Sequence, residues 1–129
     1  MASDSSFSLG PLGQIALTIT DRARSVAFYR DKLGMRLLFE APPNLAFFDC
    51  GGIRLMLSPA EKPGEHFSSI LYFRVNDIHE ACEALGSRGV ELEHSPALVA
   101  KMANHDLWMA FLRDPDRNVL GLMSEVPRA

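Results

Sequence analysis

The sequence has only two cysteines, Cys50 and Cys82, both in apolar contexts, the second on an expected helix face. A disulfide framework or a zinc cluster needs more thiols at closer spacing, so reduced, buried thiols in a cytoplasmic protein are expected. Basic residues are also few: 13 Lys and Arg stand against 16 Asp and Glu, a net charge of −3 without a basic stripe. That balance argues against nucleic acid and anionic membrane surfaces as partners. No apolar run approaches the roughly 20 residues that cross a bilayer. Residues 1–8 (MASDSSFS) carry no basic start before an apolar core, so no secretory leader is expected. A chain of 129 residues can bury roughly 70% of its unfolded surface around one core, but not around two. One domain over residues 1–129 is expected.

What the chain does have is a repeat. Residues 14–21 read QIALTITD and residues 70–77 read ILYFRVND. Apolar residues alternate in both (Ile15, Leu17, Ile19; Leu71, Phe73, Val75), and an aspartate closes each run (Asp21; Asp77). Alternation of period two predicts strands, and each Asp is placed to cap a following helix. A repeat of this length predicts two copies of one supersecondary unit, with any site where the copies face each other.

The first unit is expected over residues 13–58. Its helix runs from Asp21 through Leu33 and ends at Gly34; strands follow near Met35–Phe39, Leu45–Asp49 and Ile53–Leu57. The second unit is expected over residues 69–124. Ile78, Ala81, Cys82 and Leu85 lie on one face of its helix, which ends at Gly89; strands follow near Val90–Glu93, Leu107–Arg113 and Val119–Met123. Residues 59–68 form a polar linker. The order is βαβββ, twice: an α+β fold of two tandem modules.

The sequence at this point resembles the vicinal oxygen chelate superfamily, which includes glyoxalase I, bleomycin-resistance proteins, fosfomycin-resistance enzymes, methylmalonyl-CoA epimerase and extradiol dioxygenases. The resemblance rests on Phe28-Tyr29 with Leu33-Gly34, on Val75-Asn76-Asp77, and on Asp114-Pro115-Asp116-Arg117-Asn118, together with the duplicated order over about residues 13–124. It implies that the strands curl into an open, cup-like half-barrel around a site. It also implies a divalent metal held from the first and last strands of each module, at Gln14, Met56, Ile70 and Gly121 here, with Leu55 one slip from Met56. Of these only Gln14 offers an oxygen for a hard cation, and catalytic sites keep about three protein ligands. No metal and no other cofactor is therefore expected.

Strand parity groups Gln14 with Thr18 and Ile70 with Tyr72 and Arg74. The resemblance places Phe111 inside the cup, and parity then brings in Met109, Leu107 and His105. Glycine at 121 leaves room for a ligand. The expected ligand-binding set is Gln14, Thr18, Met56, Tyr72, Arg74, His105, Met109, Phe111 and Gly121. His105 and Tyr72 are the candidate catalytic groups, as proton acceptor and acid, against the plainer readings of a turn histidine and a packing tyrosine. His79 and His94 read as surface residues, and His66 as a linker residue able to fold over the cup mouth. His105, Asp106, His66 and Glu125 hold enough donors for a divergent metal site but show no ligand spacing.

The leading expectation is a protein that binds a small organic molecule, resembling the antibiotic-binding branch. The alternatives are a glyoxalase-like lyase, isomerase or dioxygenase with a divergent or metal-free site, and a structural or regulatory domain without a ligand. The resemblance also implies a homodimer, since such relatives commonly pair modules within or across chains.

Overall fold

The computed structural model describes residues 6–66 and 69–128; Phe67 and Ser68 of the expected linker lie outside the described residues, as do residues 1–5 and Ala129. Strand β1 (Gln14–Thr18) leads into helix α1 (Arg22–Ala27), which continues as a π-helical turn over Phe28–Lys32. Strands β2 (Arg36–Ala41), β3 (Leu45–Cys50) and β4 (Ile53–Ser58) complete the first module. The second follows as β5 (Leu71–Arg74), α2 (Ile78–Ser87), β6 (Leu92–Lys101), β7 (His105–Arg113) and β8 (Val119–Pro127). Each module makes an open four-stranded sheet, ordered β1-β4-β3-β2 and β5-β8-β7-β6. The predicted α+β fold of paired βαβββ modules is the fold observed.

The capping aspartates behave as their positions imply. The Asp21 carboxylate accepts from the Arg24 N–H at 3.1 Å. That of Asp77 accepts from the His79 and Glu80 N–H groups at 3.0 and 3.1 Å. Each helix then stops at a glycine with positive φ, Gly34 at 72° and Gly89 at 82°, a conformation that costs glycine nothing. The first helix is one residue longer between cap and stop, and the π turn takes up that residue without displacing Gly34. Strand β6 runs well past the predicted Val90–Glu93. It is an edge strand with register shifts on both sides of Pro96, and an edge tolerates a proline and bulges that a short apolar pattern does not reveal.

One face of each sheet carries the core. Leu17, Ile19, Phe48, Leu55 and Leu57 from the first sheet join Ala110, Leu112, Leu120 and Leu122 from the second in one buried cluster, with Val26, Tyr29, Ile78, Cys82 and Leu85 from the helical segments. Burial pushes the Cys50 and Cys82 thiols up from their ordinary values, as packing residues require.

A polar seam ties the modules together. The β7–β8 turn reaches across to α1, where the Asp116 carboxylate accepts from the Thr20 hydroxyl (2.6 Å), the Thr20 N–H (3.0 Å) and the Ser25 hydroxyl (3.3 Å). Buried Asp114 accepts from the Tyr29 hydroxyl at 2.7 Å, the Asn118 side-chain amide at 2.8 Å, and the Asp116 and Asn118 backbone N–H groups at 2.9 and 2.8 Å. The Asn118 amide also donates to the Thr18 carbonyl at 3.0 Å, pinning β1 to the turn. Burial first, and then the Asp114 charge, push the Tyr29 hydroxyl far above its ordinary value, so it stays a donor. Among the described residues no helix is long and apolar enough to cross a membrane.

Candidate functional site

The helix-free faces of the two sheets carry the candidate site residues, and strand pairing sets them in rows. Across the first sheet the central row is Ala16, Met56, Phe47 and Phe39. Across the second it is Tyr72, Gly121, Phe111 and His94. The two rows occupy equivalent places, which removes the one-residue ambiguity in the alignment of Met56 with Gly121: Leu55 pairs with Ile15 and is fully buried on the other face.

In the first sheet Gln14 donates through Nε2 to the Met56 thioether sulfur at 3.6 Å. Phe39 stacks on Phe47 with ring centres 4.4 Å apart and planes 23° apart, and the Arg54 guanidinium lies 5.6 Å from the Phe47 ring centre. A cavity of about 320 Å³ opens beside this surface, lined by Ala16, Thr18, Met56, Ser58, Pro59 and Glu61 among others. Thr18 and Met56 of the expected ligand set therefore share a cavity.

In the second sheet Tyr72 and Phe111 meet edge to face at 5.9 Å, and His94 meets Phe111 edge to face at 6.1 Å. Here the structure corrects one expectation. The space above Gly121 is not vacant: a Cβ there would stand 2.6 Å from Tyr72 Cδ1 and 3.2 Å from Phe111 Cε1. The glycine makes room for the two rings rather than for a ligand. Met109 pairs with Met123 one row further along, as parity requires. Arg74, at the end of the edge strand β5, instead lines a different cavity, on the helix side of the sheet.

His105 does not join Tyr72. It lies six residues along β7 from Phe111, a run of roughly 20 Å in an extended strand. There its Nδ1 bonds to the Asn104 side chain at 2.8 Å, its Nε2 is 4.0 Å from the Glu125 carboxylate, and Arg128 donates to its carbonyl at 3.1 Å. His105 and Tyr72 are thus separated along the face that parity gives them both, since parity fixes a face and not a distance. The divergent metal set dissolves in the same way. Asp106 pairs with Arg128, and the His66 imidazole donates to Asn118 Oδ1 at 2.9 Å, at the opposite end of β8 from Glu125.

The residues at the four positions that the resemblance would assign to a metal do not make a donor set for a divalent cation. Only the Gln14 amide oxygen is a hard donor, Ile70 and Gly121 have none, and the Tyr72 ring stands against Gly121. Among the described residues no three His, Cys, Asp or Glu side chains are grouped to hold a metal ion.

Sequence reasoning missed Phe39, Phe47, Arg54 and His94. Phe47 and Phe48 are adjacent, so their parity was ambiguous until pairing with Met56 and Leu55 separated them. His79 packs its ring 5.3 Å from Trp108 and keeps the surface position expected of it.

Two βαβββ modules with helix-free open sheet faces define the glyoxalase-like fold class. Residues 12–122 match the model of the Glyoxalase/Bleomycin resistance protein/Dioxygenase superfamily, and the chain belongs to that superfamily. It is 32% identical over 126 residues to the uncharacterized protein YraH of Bacillus subtilis (strain 168), covering 83% of this chain and 92% of YraH. Among solved structures it is similar to TnmS3, an antibiotic binding protein from Streptomyces sp. CB03234, at 23% identity over 92% of this chain and 98% of that one, with a TM-score of 0.73. It is also similar to lactoylglutathione lyase from Agrobacterium tumefaciens, at 22% identity over 90% and 94% of the respective chains, with a TM-score of 0.70. At these identities the two structures establish the shared fold.

Proposed function

We propose that this protein binds a small organic molecule on its open sheet faces and does so without the divalent metal of its enzymatic relatives. The observation that carries this reading is the exposure of large apolar side chains on faces that the core does not use: Phe39 is 46% exposed and Tyr72 is 47% exposed, although each belongs to a row of ring contacts. A face built only for packing would not leave rings open beside polar groups such as Gln14 and Arg54. The likeness to an antibiotic-binding protein supports the reading, and the donor set at Gln14, Met56, Ile70 and Gly121 supports its metal independence. A homodimer that leaves these rings open is the assembly we propose, and two unpaired thiols suit a cytoplasmic setting.

A thermal-shift screen of planar aromatic compounds in EDTA tests this. A ligand at 100 times its dissociation constant adds about 2.7 kcal/mol to the folded state, a shift any melt resolves. Tyr72→Ala and Phe39→Ala should lose that shift while retaining the melting temperature of the free protein. If stabilisation requires an added divalent ion, the metal-free reading is wrong. Failure of every compound to stabilise the wild type would remove the binding reading.

A further inference from the structure

A second cavity, of about 340 Å³, lies on the helix side of the second sheet. Its wall comes from α2 (Ala84, Leu85), from the core face of the sheet (Phe73, Leu112) and from the end of the first helix (Leu33, Met35). The apolar wall is on the face turned away from the Tyr72 row, and Arg74, which shares the Tyr72 face by parity, reaches the cavity from the end of the edge strand β5.

Its origin is visible in the repeat. Counted from the capping aspartates, Phe28 and Tyr29 of the first helix correspond to Ala84 and Leu85 of the second. Strand pairing makes Phe48 the counterpart of Leu112, since each sits opposite the matching leucine, Leu55 or Leu120. Three aromatic rings that fill the first module are thus an alanine and two leucines in the second, and all three replacements line the cavity. The volume is at the lower end of small-molecule sites, which run to roughly 300–1,000 Å³.

The charges on the wall are all of one sign. Arg74 and Arg88 are the only ionisable side chains that line it, and neither forms an ion pair among the described residues. Arg88 uses one donor, Nη1 to the Lys32 carbonyl at 3.0 Å, which holds its guanidinium at the end of the first helix beside Gly34. A guanidinium has five N–H donors, so most of its fork remains for an acceptor. An apolar cleft with two cations at its open side and no carboxylate matches an apolar body bearing one anionic group.

We propose that this cavity is a binding site for an apolar monocarboxylate, with the hydrocarbon among Leu85, Leu112 and Phe73 and the carboxylate at Arg88. Calorimetry with octanoate, and with octanol as its neutral counterpart, provides the test. Octanoate should bind the wild type saturably, one molecule per chain, and more tightly than octanol. Arg88→Gln should weaken octanoate by about tenfold or more, the worth of a charge-assisted hydrogen bond, and leave octanol unchanged. Ala84→Phe and, separately, Leu112→Phe restore the rings of the first module and should abolish binding of both. The same titration followed on the wild-type leucine methyl resonances needs no variant: shifts should centre on Leu85, Leu112 and Leu120. Absence of saturable octanoate binding, persistence of binding in a folded filled variant, or methyl shifts centred elsewhere would each overturn the proposal.

Discussion

On the helix side of the first sheet stand Phe28, Tyr29 and Phe48; at the equivalent places of the second stand Ala84, Leu85 and Leu112. On the open side the asymmetry takes another form. Ala16 and Met56 in the first row are answered by Tyr72 and Gly121 in the second, a small and a large residue exchanged between neighbouring strands. The turns differ too. The first module closes β3 on β4 through Gly51-Gly52, both at positive φ, whereas the second uses the longer Asp114–Asn118 turn that reaches across to α1. The two modules therefore share one backbone plan and differ in where volume lies: the first is filled by aromatic rings, and the second keeps a half-open cleft. The backbone tolerates this because strand register and caps, which both modules share, do not depend on which side chains fill the volume between them.

The strongest way to break that picture is to cut the polar seam. Asp114 serves four donors while buried, and Asp114→Ala would strand the Tyr29 hydroxyl and the Asn118 amide without their carboxylate. A loss of roughly 3–5 kcal/mol is expected in urea unfolding, enough to threaten a fold of ordinary stability. A loss below roughly 1 kcal/mol would mean that the shared apolar cluster alone holds the modules together.

The same seam has a pH signature. Tyr29 has its hydroxyl raised above its ordinary value, so above about pH 10 the unfolded chain gives up that proton while the folded chain keeps it. The unfolded state then binds fewer protons and stability falls as pH rises. Cys50 and Cys82, raised by burial, add in the same direction. Tyr29→Phe should cost about 1–3 kcal/mol at neutral pH through the Asp114 oxygen left short of a donor, and it should flatten the alkaline decline. Urea midpoints between pH 7 and 11 for both proteins check this; equal slopes would show that Tyr29 does not carry the effect.

Exchanging the core residues tests the filled-versus-open contrast directly. Phe48→Leu, which imports the second module's residue, should cost roughly 1–3 kcal/mol because Phe48 is fully buried beside Tyr29. Leu112→Phe should cost less than that, or stabilise by about 0.5–2 kcal/mol, because its new atoms enter an existing space. Equal penalties in the two directions would mean that the cavity closes in solution.

Much of this was legible from the chain. The repeat, the caps at Asp21 and Asp77, the stops at Gly34 and Gly89 and the core faces of β1 and β5 all follow from local periodicity, and the structure reproduces them. The site was read less well, for one physical reason. Parity assigns a side chain to a face but says nothing of distance along a strand or of what a neighbour already occupies. Parity therefore groups His105 with Tyr72, although they lie far apart, and does not reveal the Tyr72 and Phe111 rings that stand over Gly121. The cavity behind α2 could have been suspected by aligning Phe28-Tyr29 with Ala84-Leu85, a comparison of volumes rather than of pattern.

The smallest expected effect addresses the open-side exchange. Gly121→Ala places a methyl 2.6 Å from Tyr72 Cδ1, closer than real contacts allow, but Tyr72 belongs to an edge strand and is 47% exposed, so its ring can swing outward. The cost should be about 1 kcal/mol, at the low end of overpacking penalties. Tyr72→Ala should remove that cost, because it empties the space that the methyl needs. A double-mutant cycle should then show a coupling of about 0.5–1 kcal/mol between positions 72 and 121. Additive effects would mean that the glycine answers to Phe111 alone, 3.2 Å away, and that the small-for-large exchange between modules is not a compensated pair.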